Sequence, residues 1–201
     1  MIITSKLIWM HLPKTAGTTT EKLFVASGLP LLWNDSQSSP LKHLPELQHP
    51  SRDKLPICDQ LRTANFRRLP YWLISNYQHK LKMMGLSVDP SQMKKGLFWR
   101  DRDQSWLPAD WWLNRLQIDE STILLRIDHL KLDFLSLLNL YQPISCYSRY
   151  RVRFVRARNK NSYSRRLSDW FTPTELSNAY KANPFWAALE RRVYGSLMVD
   201  P

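Results

Sequence analysis

Lys14, Gly17 and the hydroxyls of Thr15, Thr18, Thr19 and Thr20 crowd into one short stretch, LIWMHLPKTAGTTT, between an apolar run and a helical pattern. A Lys, a Gly that lets backbone approach closely, and hydroxyls at the start of a helix are what a tetrahedral anion needs, because the amides there point outward and carry the positive end of the helix dipole. The phosphate loop of the common NTPases, GxxxxGK[ST], has its Lys after the second Gly. Here Lys14 precedes Gly17, so that motif is absent. Further along, KHLPELQHP supplies His43, Glu46 and His49 as candidate proton acceptors, and Arg67 and Arg68 stand before a second helix that carries Ser75. Two cations at a helix start oppose its dipole unless an anion lies between them and the amides.

These groups need elements to hold them. Residues Ile2 to Met10 read as one buried strand of a parallel sheet, and Thr18 to Val25 as a helix stopped by Gly28. Leu31 to Trp33 and Arg62 to Phe66 are further short strands, with a Pro-rich irregular loop between them. A helix follows the Arg pair, with Pro70 at its start and Gly85 as its terminator. Residues 87–118 hold Trp99, Trp106, Trp111 and Trp112 with Arg100 and Arg102 and show no clean period, so they read as an insertion or lid in a single domain spanning 1–201. STILLRID is a strand and His129 to Leu140 a helix. Leu167 to Gly195 contains one or two helices, with a capping pattern from Thr172 to Glu175.

Composition allows a substantial core, with 43% hydrophobic residues, 12% aromatic and nine Trp. Lys and Arg outnumber Asp and Glu by 29 to 17, a net charge of +12 that favours anionic partners without choosing among them. Two cysteines, Cys58 and Cys146, are too few for a disulfide scaffold. With no signal-peptide pattern, no ~20-residue apolar stretch and no cluster of metal-ligand spacing, a cytoplasmic protein without a membrane span or metal is expected.

HLPKTAGTT after a strand closely resembles the 5′-phosphosulfate loop of sulfotransferases that use 3′-phosphoadenosine 5′-phosphosulfate (PAPS), above all the carbohydrate group that includes the heparan sulfate 2-O-sulfotransferases. The matching residues are His11, Pro13, Lys14, Thr15, Gly17 and Thr18. The resemblance implies an α/β, P-loop-like, three-layer fold with a central parallel sheet flanked by helices. It assigns PAPS contacts to Pro13, Lys14, Thr15, Ala16, Gly17, Thr18 and Thr19. The family's 3′-phosphate site is an Arg with a Ser eight residues later, usually followed by x-Tyr; Arg67, Ser75 and Tyr77 match that spacing. The family's Arg-x-Pro selects Arg68 instead, and both arginines stay open. RNKNSYSRRLSDWFTP is similar to the loop that closes over the nucleotide, which carries over Asn159, Asn161, Tyr163 and Arg165. Lys14 is expected to neutralise the leaving oxygen. His43 is the expected base, with Glu46 and His49 as competitors, while His11 shapes the loop and His79 and His129 are structural. The acceptor is a hydroxyl, on a glycan or glycolipid, for which the Trp-rich segment offers stacking faces.

Two alternatives compete. A small-molecule P-loop-like kinase would need a magnesium-binding acid, for which Asp128 is the candidate. A basic nucleic-acid-binding module would centre on Arg149 to Arg166, with Tyr147, Tyr150, Phe154 and Tyr163 interleaved. It leaves the opening loop without a purpose, so no nucleic-acid partner is expected.

Overall fold

The structure, a computed structural model, describes residues 1–36, 38–55, 60–156 and 163–200. In chain order the elements are β1 (Ile2–Ile3), β2 (Leu7–Met10), α1 (Gly17–Ser27), β3 (Trp33–Asn34), β4 (Leu61–Phe66), α2 (Leu69–Met83), α3 (Pro90–Lys94) and β5 (Leu97–Arg100). They continue as β6 (Ser105–Pro108), α4 (Asp110–Arg115), β7 (Ile123–Arg126), α5 (Leu130–Tyr141), α6 (Cys146–Phe154), α7 (Pro173–Lys181) and α8 (Pro184–Tyr194). The chain divides into two compact units: one of residues 1–66 and 115–160, the other of 67–114 and 161–201.

The first unit is α/β. Its five-stranded sheet runs β3-β1-β2-β4-β7, with β2, β4 and β7 parallel and β1 antiparallel to both β2 and β3. The expected central parallel sheet is thus present as the parallel core β2-β4-β7 of a mixed sheet, with β3 and the antiparallel β1 at one edge. The single strand expected over Ile2 to Met10 is a hairpin. Thr4, Ser5 and Lys6 interrupt the apolar run, and the Thr4 hydroxyl accepts the amides of Lys6 (3.3 Å) and Leu7 (3.0 Å), which turns the chain. Side chains alternate along β2, so Leu7 and Trp9 face one way. They join Leu23 and Phe24 of α1, Leu125 of β7, Phe134 and Leu138 of α5 and Val152 of α6 in one buried cluster. Helix α1 ends at Gly28, whose φ of 71° is the left-handed cap that glycine adopts without strain.

The second unit gathers α2, α3, the antiparallel hairpin β5–β6, α4, α7 and α8. The irregular insertion expected over 87–118 is built of α3, that hairpin and α4, then runs into the first unit from Arg115. Trp72 of α2 is fully buried against Phe98 (ring centroids 5.5 Å apart) and Trp186 (5.0 Å). The expected capping box of Thr172 and Glu175 opens α7. Among the described residues no helix is long and apolar enough to cross a membrane.

Candidate functional site: an anion loop at the start of α1

Parallel register puts the loop where β2 runs out. Met10 pairs with Ala64, so Asn65 stands one step beyond the end of β2, level with the loop's first residue. Period-two alternation turns Asn65 toward α1, on the same face as Trp9. The Asn65 carboxamide is fully buried and fully used: it accepts from Trp9 Nε1 (3.2 Å) and donates to the Thr15 carbonyl and to Thr20 Oγ1, both at 2.6 Å. Sequence reading missed this residue. The signal available was an Asn inside an otherwise apolar strand, where Asn is depleted.

Within the loop, Lys14 and Ala16 both have φ of 64°, in the left-handed region, and left-handed residues alternating with right-handed ones are the backbone pattern from which anion-binding nests are built. Ala16 is the N-cap of α1, and Thr19 and Thr20 donate their amides to its carbonyl. The four hydroxyls are not equivalent. Thr15 donates inward to the Leu12 carbonyl (2.6 Å) and is fully buried, and Thr20 is engaged by Asn65. Thr19 is also buried, which leaves Thr18 half-exposed on the first turn. The loop thus offers backbone, Lys14 and Thr18, a narrower set than the sequence suggested.

Gly17 has a different role from the one spacing implies. A Cβ at Gly17 would sit 1.9 Å from His11 Nε2 and 2.4 Å from its Cε1. The glycine makes room for the His11 imidazole, which packs between Trp9 (5.1 Å) and His43 (4.7 Å). Among the described residues, the buried His11 Nδ1 has no hydrogen-bond partner. Burial, with smaller contributions from His43, the N-terminal ammonium and Lys42, pushes His11 well below the usual imidazole range, so it is neutral.

His43 ends a 3-10 turn from Pro40 to His43, opened by the Ser39 hydroxyl accepting the Leu41 amide. Its Nδ1 lies 3.0 Å from the His11 carbonyl. A carbonyl only accepts, so Nδ1 carries the proton and Nε2 the lone pair, the tautomer of a base. Burial lowers its pKa to about 4, partly opposed by the bond to the His11 carbonyl.

The competitors are engaged elsewhere. Glu46 pairs with Arg62 Nε at 3.2 Å, and Arg62 aligns with Ile8, before the end of β2. His49 is buried with Nδ1 accepting the Ser51 amide, so its Nε2 donates to Asp35 Oδ2 at 3.0 Å. Trp33 donates to the same carboxylate at 2.9 Å.

The second unit holds most of the remaining candidates. Arg67 Nη2 donates to the Tyr163 hydroxyl at 3.2 Å, which joins two residues that the same family resemblance singles out. Arg68 is drawn into a buried network. It donates to Glu190 (3.1 Å) and the Ser196 carbonyl (2.9 Å) and stacks on Tyr194 (4.3 Å). Glu190 also accepts the Leu69 amide (2.7 Å) and the Tyr180 hydroxyl (2.8 Å). The anion that an Arg pair at a helix start calls for is thus supplied for Arg68 by the protein itself. Ser75 is buried on α2, and Arg165 is exposed, its carbonyl accepting from Tyr71 Oη at 3.3 Å. Asn159 and Asn161 lie outside the described residues. In the Trp-rich segment, Trp99 packs on Trp106 (5.3 Å) and Arg100 stacks on Trp111 (4.5 Å) while pairing with Asp103 (3.1 Å); Arg102 is exposed. Asp128 and His129 are exposed at the start of α5. Comparison with protein-family models, with curated proteins and with solved structures finds no match to this chain.

Proposed function

We propose that the chain is a PAPS-dependent sulfotransferase that moves a sulfuryl group to a hydroxyl acceptor on a glycan or glycolipid. The observation that carries this reading is the loop after β2: two left-handed residues, one of them Lys14, tied down by Asn65 and opening onto the first turn of α1. Outward-pointing amides, a Lys and one hydroxyl suit a tetrahedral anion. With it go a P-loop-like three-layer arrangement and a cytoplasmic location. PAPS supplies the sulfuryl group. Lys14 and the loop amides hold the anion and neutralise charge on the phosphate oxygen that leaves. His43 Nε2 takes the acceptor proton as the hydroxyl oxygen bonds to sulfur, and of the three candidate bases only His43 stacks on a residue of the loop. What gives the 3′-phosphate to Arg67 and Ser75, residues of the second unit, is the family resemblance alone.

The test is titration calorimetry with adenosine 3′,5′-bisphosphate. Binding is expected, weakened at least ~10-fold in Lys14→Ala by loss of a charge-assisted contact. Absence of binding, or full retention of affinity by that variant, overturns the proposal.

A further inference from the structure

We infer that the outer face of α6 is a docking surface for an anionic lipid bilayer. Helix α6, CYSRYRVRF, is opened by Ser145, whose hydroxyl accepts the Ser148 amide at 3.1 Å. Only Val152 is buried. At 100° per residue Tyr147, Tyr150 and Phe154 fall on the side opposite Val152, and they are 71%, 60% and 64% exposed. Arg149, Arg151 and Arg153 flank this aromatic stripe on both sides. No Asp or Glu occurs from Phe134 to Ser168, and the nearest acid before them, Asp133, is held by Arg126 at 2.8 and 2.9 Å.

The neighbouring helix adds exposed apolar side chains of its own. Lys131 at the start of α5 donates to the Arg153 carbonyl at the end of α6 (2.7 Å), so the two helices form an antiparallel hairpin. On α5, Leu132 is 66% and Leu140 75% exposed. Exposed apolar side chains flanked by arginines on a segment without acids match a bilayer interface, with apolar tips below the headgroups and guanidiniums among their phosphates. The acids nearby belong to other segments, Asp128 before α5 and Glu21 and Asp35 lining a pocket with Arg151.

Single-stranded nucleic acid shares the charge but asks for open ring faces. Here Tyr150 and Phe154 lean on one another with centroids 4.4 Å apart, and the Arg151 guanidinium lies over Tyr147 at 5.9 Å. Exposed leucines also have no π face to offer a base. The surface therefore fits lipid better than nucleic acid, and the inference does not depend on the sulfotransferase reading.

The experiment is flotation of the full chain with vesicles of phosphatidylcholine alone or with about a third phosphatidylglycerol. Binding is expected only with the anionic lipid. Arg151→Gln and Arg153→Gln should each weaken it about fivefold. The double variant Tyr150→Ser, Phe154→Ser should weaken it about tenfold or more at unchanged net charge. Both side chains are mostly exposed, so its melting temperature should equal the parent's. No flotation with anionic vesicles overturns the inference, as does flotation of the double variant equal to the parent's, which would mean bare attraction to a +12 chain. A single-stranded oligonucleotide that binds, and loses binding in the double variant while vesicles fail, would reassign the face to nucleic acid.

Discussion

His43 reaches the loop through His11, and the same burial that places it there sets its charge. Its folded pKa of about 4 lies below the ordinary value of 6.5, so the folded state disfavours the imidazolium. Between those values the unfolded chain binds a proton that the folded chain does not, and stability rises with pH. Stability from this group is complete above about pH 6.5 and is lost as pH falls toward 4. His43→Gln should flatten part of that acid slope in denaturant titrations, with the remainder owed to His11 and His49, which burial also lowers. In the proposed reaction His43→Gln should reduce turnover about 100- to 10,000-fold, with bisphosphate affinity largely kept. A structural role alone would instead lower both together. Gly17 makes a second, separable prediction. Gly→Ala within a helix usually gains up to ~1 kcal/mol, yet at Gly17 the added Cβ meets the His11 ring at 1.9 Å. Gly17→Ala should therefore destabilise the protein and weaken anion binding. In a His11→Ala background that cost should disappear, a coupling that a double-mutant cycle by thermal unfolding measures directly.

Helix termini carry the corresponding argument for elements. Asp110, at the start of α4, accepts the Phe185 amide (2.9 Å) and the Trp186 amide (2.7 Å) of α8, while its own amide donates to Asn183 Oδ1 (3.1 Å). Asn183 in turn donates to the carbonyls of Gly96 and Ala179. This is a tertiary cap, and Asp110→Ala leaves the buried Trp186 amide unmet, at about 1–3 kcal/mol, and the part-buried Phe185 amide without its partner; a fall in denaturant midpoint checks it. Local caps were legible because their signals lie within a few residues: Gly28 stops α1, and Thr172 with Glu175 opens α7. Asp110 and α8 are separated by more than seventy residues, and no local pattern links them. The same distinction governs the site. Lys14 and Gly17 announce an anion loop by spacing, but Asn65, which fixes that loop, comes from another strand and is set by register. Glu46 and Arg68 look chemically available in the sequence; Arg62 and Glu190, which engage them, are remote in the chain. Strand β1 does not separate from β2 in the sequence, because two apolar residues before a polar break are indistinguishable, by period, from the start of a longer run.

At the scale of the whole molecule, the charge of +12 makes the compact state repel itself, and an anionic ligand that binds only the folded chain both relieves that repulsion and adds its binding free energy. At about 100 times its Kd such a ligand stabilises by roughly 2.7 kcal/mol. For a chain of this size that is a rise in melting temperature of about 5–10 °C. Adenosine 3′,5′-bisphosphate should produce it without magnesium, and the rise should shrink as salt screens the charges. Adenosine 5′-monophosphate at the same concentration should give a clearly smaller shift, because it lacks the 3′-phosphate assigned to Arg67 and Ser75. Lys14→Ala, at the ~10-fold or greater loss of affinity expected, should cut the rise to about half or less. Two results would redirect the reading. Equal shifts from the two nucleotides would remove the role given to Arg67 and Ser75 while leaving the loop as a general anion site. A larger shift from ATP that appears only with magnesium would point to phosphoryl transfer instead, since sulfuryl transfer from PAPS asks for positive side chains and amides at the leaving phosphate.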